Sequence, residues 1–373
     1  MKKKYSNKVK VTAIFLITVL FLAVILIIGE TLCRFNKEYG RGGFAFDRTL
    51  IWRLNKNFTG QKPYAQGMIP GKEPFVLSLN NRGFRGGEFK KEKEKGIKRI
   101  MVLGDSYTAG LDYPDDEIFT GAFEQKLNAQ RNDHYEVMNI SCPAWGTDQQ
   151  YLYWFTEGIK YEPDYLIIMI ASNDMRELYN KKVVSLSPEG NIDIKKADLP
   201  TKEKWGWYFA NRSSLFQYFQ KKVWKTNYGD FFKVFHYYPV NYGIKDTTDW
   251  DAPNYLKEPF PEIEATYQLF EKLLEEIKES CEKNGTKLLL GKIPAKVEFD
   301  GTYETAEHDP TIISNMTKLI AERQGIPYLD LNEMLAKKED PLNVFMSWEY
   351  HFNKEGHDFA AEHLFDFFNQ LDF

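Results

Sequence analysis

Residues Arg99-Ile100-Met101-Val102-Leu103-Gly104-Asp105-Ser106-Tyr107-Thr108-Ala109-Gly110 decide how this chain is read. The apolar run from Ile100 to Leu103 has the character of a strand buried in a sheet. It breaks into Gly-Asp-Ser and continues in a helix pattern, which presents one serine at the strand's carboxyl end. Open α/β sheets hold their ligands there, so Ser106 is the residue to work outward from.

Apolar runs and helix patterns alternate over the rest of the chain. Tyr135 to Ile140 reads as a strand, and Asp164 to Ala171 as a strand buried on both faces. Lys287 to Ile293 and Tyr328 to Leu331 read as two more. Between them, Glu117 to Arg131, Asp148 to Lys160, Ile263 to Lys283, Ile312 to Arg323 and Lys354 to Leu371 carry helical spacing. Asn284-Gly285 supplies a stop signal for the third of these. This rhythm predicts an α/β fold with a parallel sheet covered on both faces. The interval from about 175 to 260 breaks it with an aromatic-dense insertion, including Trp205, Trp207, Phe216, Phe219, Trp224, Phe231 and Tyr238. Insertions after a strand end cover or line sites. Two compatible readings stay open: a cap with its own small core, or a binding surface that faces a membrane or stacks on sugars.

The amino end carries a different signal. Lys2, Lys3, Lys4, Lys8 and Lys10 precede an uncharged run from Val11 to Ile28, near the minimum of about 18 residues that spans a bilayer. The following Gly29-Glu30-Thr31-Leu32-Cys33-Arg34 is a poor signal-peptide cleavage site. The expected organisation is a basic cytoplasmic tail over residues 1–10, a single-pass anchor over 11–28, a juxtamembrane region over 29–97, and a domain over 98–373 outside the cytoplasm. Cys33 lacks the small-residue context of a lipidation site. Cys142 and Cys281 are expected to be free, buried cysteines. The net charge of −4 gives no bias toward nucleic acid.

A serine nucleophile needs a base for its proton and donors for the oxyanion that forms. Four predicted strand ends supply candidates. They are Ser106; the turn Asn139-Ile140-Ser141-Cys142-Pro143-Ala144-Trp145-Gly146; Ala171-Ser172-Asn173-Asp174; and Glu349-Tyr350-His351-Phe352-Asn353. Ser106 taken alone would also suit a helix cap. His357 and His363 read as structural. No zinc spacing or phosphate-binding glycine loop is present in the sequence, so neither a metal nor a cofactor is expected.

The four blocks, in this order over about residues 98 to 371, resemble the SGNH/GDSL hydrolase superfamily. Residues 77–88 are similar to the lead-in of a membrane-anchored bacterial branch. The resemblance implies a flavodoxin-like three-layer sandwich with a central parallel sheet. It implies Ser106 as nucleophile, His351 as general base, and the Ser106 amide and Asn173 side chain as oxyanion donors. Asp105 would orient the loop. The chain departs from the pattern in three places. Ala144 stands where the family's oxyanion glycine aligns, with Gly146 two residues later; an alanine amide is expected to serve if its φ is negative. Ala171 replaces the glycine of the third block. Glu349 takes the place of the usual aspartate as the acid behind His351. The implied activity is hydrolysis of acyl or acetyl esters on a small molecule, lipid or envelope glycan. An O-acyltransferase using the same site, or a non-catalytic envelope-binding module, are the alternatives.

Overall fold

The computed structural model describes residues 7–35, 44–181, 183–195, 208–209, 212–224 and 251–371. The chain divides into two compact units, residues 1–46 with 199–238, and residues 47–198 with 239–373.

In the first unit, helix α1 (Asn7–Phe35) is long and apolar enough to cross a membrane. It starts before the uncharged run and continues beyond it, because Gly29 to Phe35 keep helical hydrogen bonding. Strand β1 (Phe44–Asp47) straddles the sequence boundary between the units. Much of the aromatic insertion, including Trp205, Trp207, Phe231 and Tyr238, lies outside the described residues.

In the second unit, the short strands β2 (Ile51–Leu54), β3 (Thr59–Lys62) and β4 (Phe75–Ser78) precede the central sheet, with β3 and β4 paired antiparallel. The sheet is built from β5 (Ile97–Gly104), β6 (His134–Ser141), β7 (Tyr165–Ile170), β10 (Lys287–Lys292) and β11 (Tyr328–Asp330). An antiparallel pair, β8 (Val184–Leu186) and β9 (Ile192–Ile194), lies between β7 and β10 in sequence. The connecting helices are α2 (Ser106–Ala109), α3 (Phe119–Gln130), α4 (Thr147–Thr156) and α5 (Asn173–Lys181). Helix α6 (Ser214–Trp224) belongs to the first unit. The second unit ends with α7 (Pro261–Asn284), α8 (Ile312–Gln324), α9 (Leu331–Leu335) and α10 (Lys354–Gln370).

All five central strands are parallel, in the order β6-β5-β7-β10-β11. Numbered by first appearance in the sheet this is 2-1-3-4-5, the flavodoxin-like doubly wound order. Every residue of β7 is buried, as its unbroken apolar sequence requires when both faces are covered. One face carries Ile100, Val102, Val137, Ile167 and Leu289 against Phe119, Phe123 and Leu127 of α3 and Phe359, Leu364 and Phe368 of α10. Alternation sends Met101, Leu103, Leu166 and Ile168, also buried, to the opposite face. Strand order reverses between β5 and β7, and the residues leaving these two strands, Ser106 and Asn173, meet at that crevice.

The compact unit begins at Asp47 rather than at residue 98. Trp52 donates its indole N–H to Pro143 O (3.0 Å), and Trp145 returns one to Trp52 O (2.9 Å). Gln149 also donates to Leu50 O. The stretch expected as a juxtamembrane region is therefore bound largely into the domain. Cys142 and Cys281 are buried, and neither is in a disulfide.

Candidate active site

The turn after β5 is shaped by close approach. A Cβ on Gly104 would lie 2.2 Å from Thr108 Oγ1, so only glycine lets the first turn of α2 fold back on the strand. Asp105 caps that helix, its carboxylate accepting the Tyr107 N–H at 3.0 Å. Asn139 ties the next strand to it, donating to Thr108 O (2.7 Å) and Thr120 Oγ1 (2.9 Å). Ser106 thereby sits on a braced turn, with its hydroxyl at the crevice.

His351 Nε2 lies 2.8 Å from Ser106 Oγ, and His351 Nδ1 lies 3.1 Å from Glu349 Oε1. These contacts define the tautomer. Burial pushes the Glu349 carboxyl upward, but the His351 hydrogen bond and charge, with Gln66 and Lys296, outweigh it and hold the group below its ordinary value. An ionised carboxylate only accepts, so Nδ1 carries the proton and Nε2 is left as acceptor for the serine O–H. Ser106 Oγ is also 3.4 Å from Asp105 Oδ2, a longer and weaker contact than that to the imidazole.

The loop that carries Glu349 and His351 is anchored at several points. Met346 N donates to His351 O (2.9 Å), and Tyr107 Oη to Tyr350 O (3.0 Å). Lys296 Nζ donates to the carbonyls of Met346 and Ser347, at 3.0 and 3.2 Å. Asn353 accepts the Gly356 N–H at 2.9 Å and caps α10. The Tyr107 ring lies 4.8 Å from the imidazole, centroid to centroid.

Asn173 Nδ2 donates to Asp105 Oδ2 at 2.9 Å, joining the first and third blocks. Asp105 is fully buried. Burial raises its pKa, opposed by the Asn173 bond, the His351 charge and the amides of Tyr107 and Ser106. Asp174 is a brace: its carboxylate accepts the Ala171 N–H (2.8 Å) and the Gln150 side-chain N–H (2.8 Å).

Ala144 has φ +60°, not the negative value expected of it. The chain makes a left-handed turn here, which a Cβ renders costly by roughly 1–2 kcal/mol. The direction of an amide N–H is set by the preceding peptide plane, so the positive φ strains the turn without turning the donor away. Gly146 serves differently. Its N–H donates to Gln149 Oε1 at 3.2 Å at the start of α4, and a Cβ there would lie 3.0 Å from Glu177 Cβ.

Two residues outside the four blocks support the site: Arg85, within the 77–88 stretch, and His357, which the sequence marked as structural. Arg85 is buried, and its guanidinium donates to the carbonyls of Ala109, Gly110 and Tyr113 and pairs with Asp115. It thereby fastens the segment that follows Ser106. His357 is fully buried between Tyr113, Phe119 and Phe352, and accepts the Phe119 N–H through Nδ1 at 3.3 Å. Burial, with the charge of Arg85, lowers its pKa to about 3. Among the described residues, no group of His, Cys, Asp and Glu is arranged to hold a metal ion.

No family model and no curated protein matches the chain. Among solved structures, the chain is similar to an acetylxylan esterase from Geobacillus stearothermophilus (14% identity, TM-score 0.39, 72% of this chain and 93% of that one). It is also similar to a lipolytic protein of the G-D-S-L family from Desulfitobacterium hafniense (14%, 0.39, 72% and 99%). A third is a lipase/acylhydrolase from Enterococcus faecalis (11%, 0.40, 72% and 94%).

Proposed function

We propose that the chain is a membrane-anchored serine ester hydrolase of the SGNH/GDSL type, with Ser106 as nucleophile, His351 as general base and Glu349 as the acid that orients the imidazole. The observation that carries this reading is the line Ser106 Oγ–His351 Nε2–His351 Nδ1–Glu349 Oε1, with links of 2.8 and 3.1 Å. The four sequence blocks meeting at the switch point of the sheet support it. Serine, imidazole and carboxylate in this relation are recognised by geometry and not by chain order.

In the first step Ser106 Oγ attacks the ester carbonyl carbon while His351 Nε2 takes the hydroxyl proton. The carbonyl oxygen becomes an oxyanion facing the Ser106 amide, the Ala144 amide and the Asn173 side chain, three donors of the kind such charge requires. Gly146, the other candidate of the same turn, directs its N–H to Gln149 Oε1 at 3.2 Å in this structure, and the Ala144 amide is the turn donor assigned here. Collapse of the intermediate expels the alcohol, which takes the proton from His351, and leaves an acyl-Ser106 ester. Water then attacks the acyl carbon, giving its proton to His351. Ser106 recovers that proton as the carboxylic acid departs. Asp105 orients the loop by holding Asn173 and the start of α2.

Anchoring through α1 is supported at Glu30, beyond the end of its uncharged run. The Glu30 carboxylate bonds to Ser213 and Ser214, a commitment that a leader removed after export would not need.

The test is turnover of a chromogenic acetate ester by the full chain in detergent micelles. Wild-type activity with loss in Ser106→Ala is expected; equal rates in both would overturn the assignment. Adding a glycan acceptor and following the acetyl group separates transfer to a sugar from transfer to water.

A further inference from the structure

The uncharged run of α1 ends at Ile28, and two residues later Glu30 faces a segment more than 180 positions away in sequence. Its carboxylate accepts from Ser213 Oγ (2.8 Å), Ser214 N (3.0 Å) and Leu215 N (3.1 Å). Arg34 closes the arrangement by donating to Glu30 Oε1 (2.7 Å) and Arg212 O (3.2 Å). Leu215 packs on Gly29, where an added Cβ would lie 3.2 Å from Leu215 Cδ2. Helix α6 is thus capped by, and packed upon, the end of α1. At 1.5 Å of rise per residue, Glu30 lies only about 3 Å along the axis beyond Ile28.

In α6, which begins Ser-Leu-Phe, helical spacing places the described residues Leu215, Phe216 and Phe219 on one arc of about 100°. Leu215 lies against Gly29, and Phe219 lies 5.7 Å from the Tyr218 ring, centroid to centroid. Phe219 is 52% exposed, and Tyr208 and Phe209 just upstream are 45% and 42% exposed. Phe209 packs on Phe216 at 5.9 Å, and the Arg212 guanidinium lies 4.2 Å from the centre of the Tyr208 ring. Large exposed aromatics beside arginine and lysine, at the end of an apolar span, have the composition of a membrane–water interface.

We propose that α6, with Tyr208 and Phe209, is an interfacial element seated in the headgroup layer of the leaflet from which α1 emerges. The occupant of the apolar arc is that bilayer, because the Glu30 cap holds the first turn of α6 at the level where the span's apolar run stops, and Phe219 follows within about 8 Å along the helix. This rests on reading α1 as an uncleaved anchor. The aromatic insertion then acts, in its described part, as a second membrane contact. It gains stability from apolar burial and from Arg34, Arg212 and Lys222 near anionic headgroups.

The test incorporates an environment-sensitive fluorescent amino acid singly at positions 20, 219 and 283 of the full chain, reconstituted in vesicles of phosphatidylcholine and phosphatidylglycerol. Position 283 is an exposed site in the second unit. The label at 219 is expected to emit to the blue of that at 283, to be quenched by headgroup-level spin-labelled lipid, and to resist iodide. In Glu30→Ala the 219 label should lose part of this shift while position 20 stays buried in lipid. A 219 label that matches 283 in iodide quenching overturns the interfacial assignment alone. Iodide access at position 20 overturns the anchor reading, and the interfacial assignment with it.

Discussion

Replacing Glu349 by glutamine removes the charge behind His351 Nδ1 while keeping the length and shape of the side chain. The carboxylate has two tasks in the proposed reaction: it holds the proton on Nδ1, and it stabilises the imidazolium that forms when Nε2 takes the serine proton. Two unit charges about 4 Å apart interact by about 4 kcal/mol at an effective dielectric near 20. The Glu349 and His351 side chains are each about one-fifth exposed, so water trims that value. A loss of about 2–4 kcal/mol of transition-state stabilisation follows, which is a fall in kcat between about 30-fold and 1,000-fold. KM should change little, because the group faces the imidazole and not the substrate. Glu349→Asp keeps the charge but withdraws it by about 1.5 Å, one carbon–carbon bond. From 3.1 Å this exceeds hydrogen-bond reach, and the expected kcat lies between wild type and glutamine. The assay is steady-state hydrolysis of an acetate ester near neutral pH, with His351→Ala as reference. A glutamine variant that keeps more than half of wild-type kcat while His351→Ala is inactive would show that Glu349 does not act on the imidazole.

Four further outcomes follow from named contacts. Asn173→Ala removes a side-chain oxyanion donor and a partner of Asp105, so kcat should fall by about 100-fold to 1,000-fold; a change within twofold would exclude Asn173 from the site. Ala144→Gly relieves a left-handed alanine, and the melting transition should rise by roughly 0.5–1 kcal/mol of stability, while Ala144→Val should lower it. His357 titrates near 6.5 when unfolded and at about 3 when folded. Between these values the unfolded chain binds the extra proton, so stability is lost as pH falls from about 6.5 toward 3, with a slope of up to about 1.4 kcal/mol per pH unit. His357→Gln should flatten the melting temperature against pH across that window. Arg85→Met leaves the carbonyls of Ala109, Gly110 and Tyr113 without their buried donor and should destabilise the fold by about 1–3 kcal/mol. Arg85→Lys, with fewer donors and no fork, should recover only part of this, read by denaturant unfolding.

The central sheet was legible because its strands are short, apolar and buried on both faces. Leu166 to Ile170 has no polar residue to place on an outer surface, and the buried strand β7 is the result. Ser106 and Asn173 were legible for a related reason: each follows the end of an apolar strand, where a parallel sheet gathers its loops. His351 was legible only as part of its motif, because the expected strand end is absent there: the last strand stops at Asp330, and His351 sits in the loop before α10. Residues 47–97 were opaque. Their strands are four residues long, too short for periodicity, and what fixes Trp52 and Arg85 are partners at Pro143, Trp145, Ala109 and Gly110. The positive φ of Ala144 was equally invisible, since it is imposed by the turn and opposed by the residue's own preference. Gly146 illustrates the converse case. Its glycine signal is real but answers to packing against Glu177 and a bond to Gln149.

The most direct measurement is the intact mass of the full chain after exposure to a fluorophosphonate probe, with the modified residue located by peptide sequencing. Wild type should gain one adduct, on Ser106. Ser106→Ala should gain none, and His351→Ala should react far more slowly although its serine is intact. An adduct formed equally in Ser106→Ala, or a wild type that turns over ester without ever being labelled, would contradict Ser106 as the nucleophile.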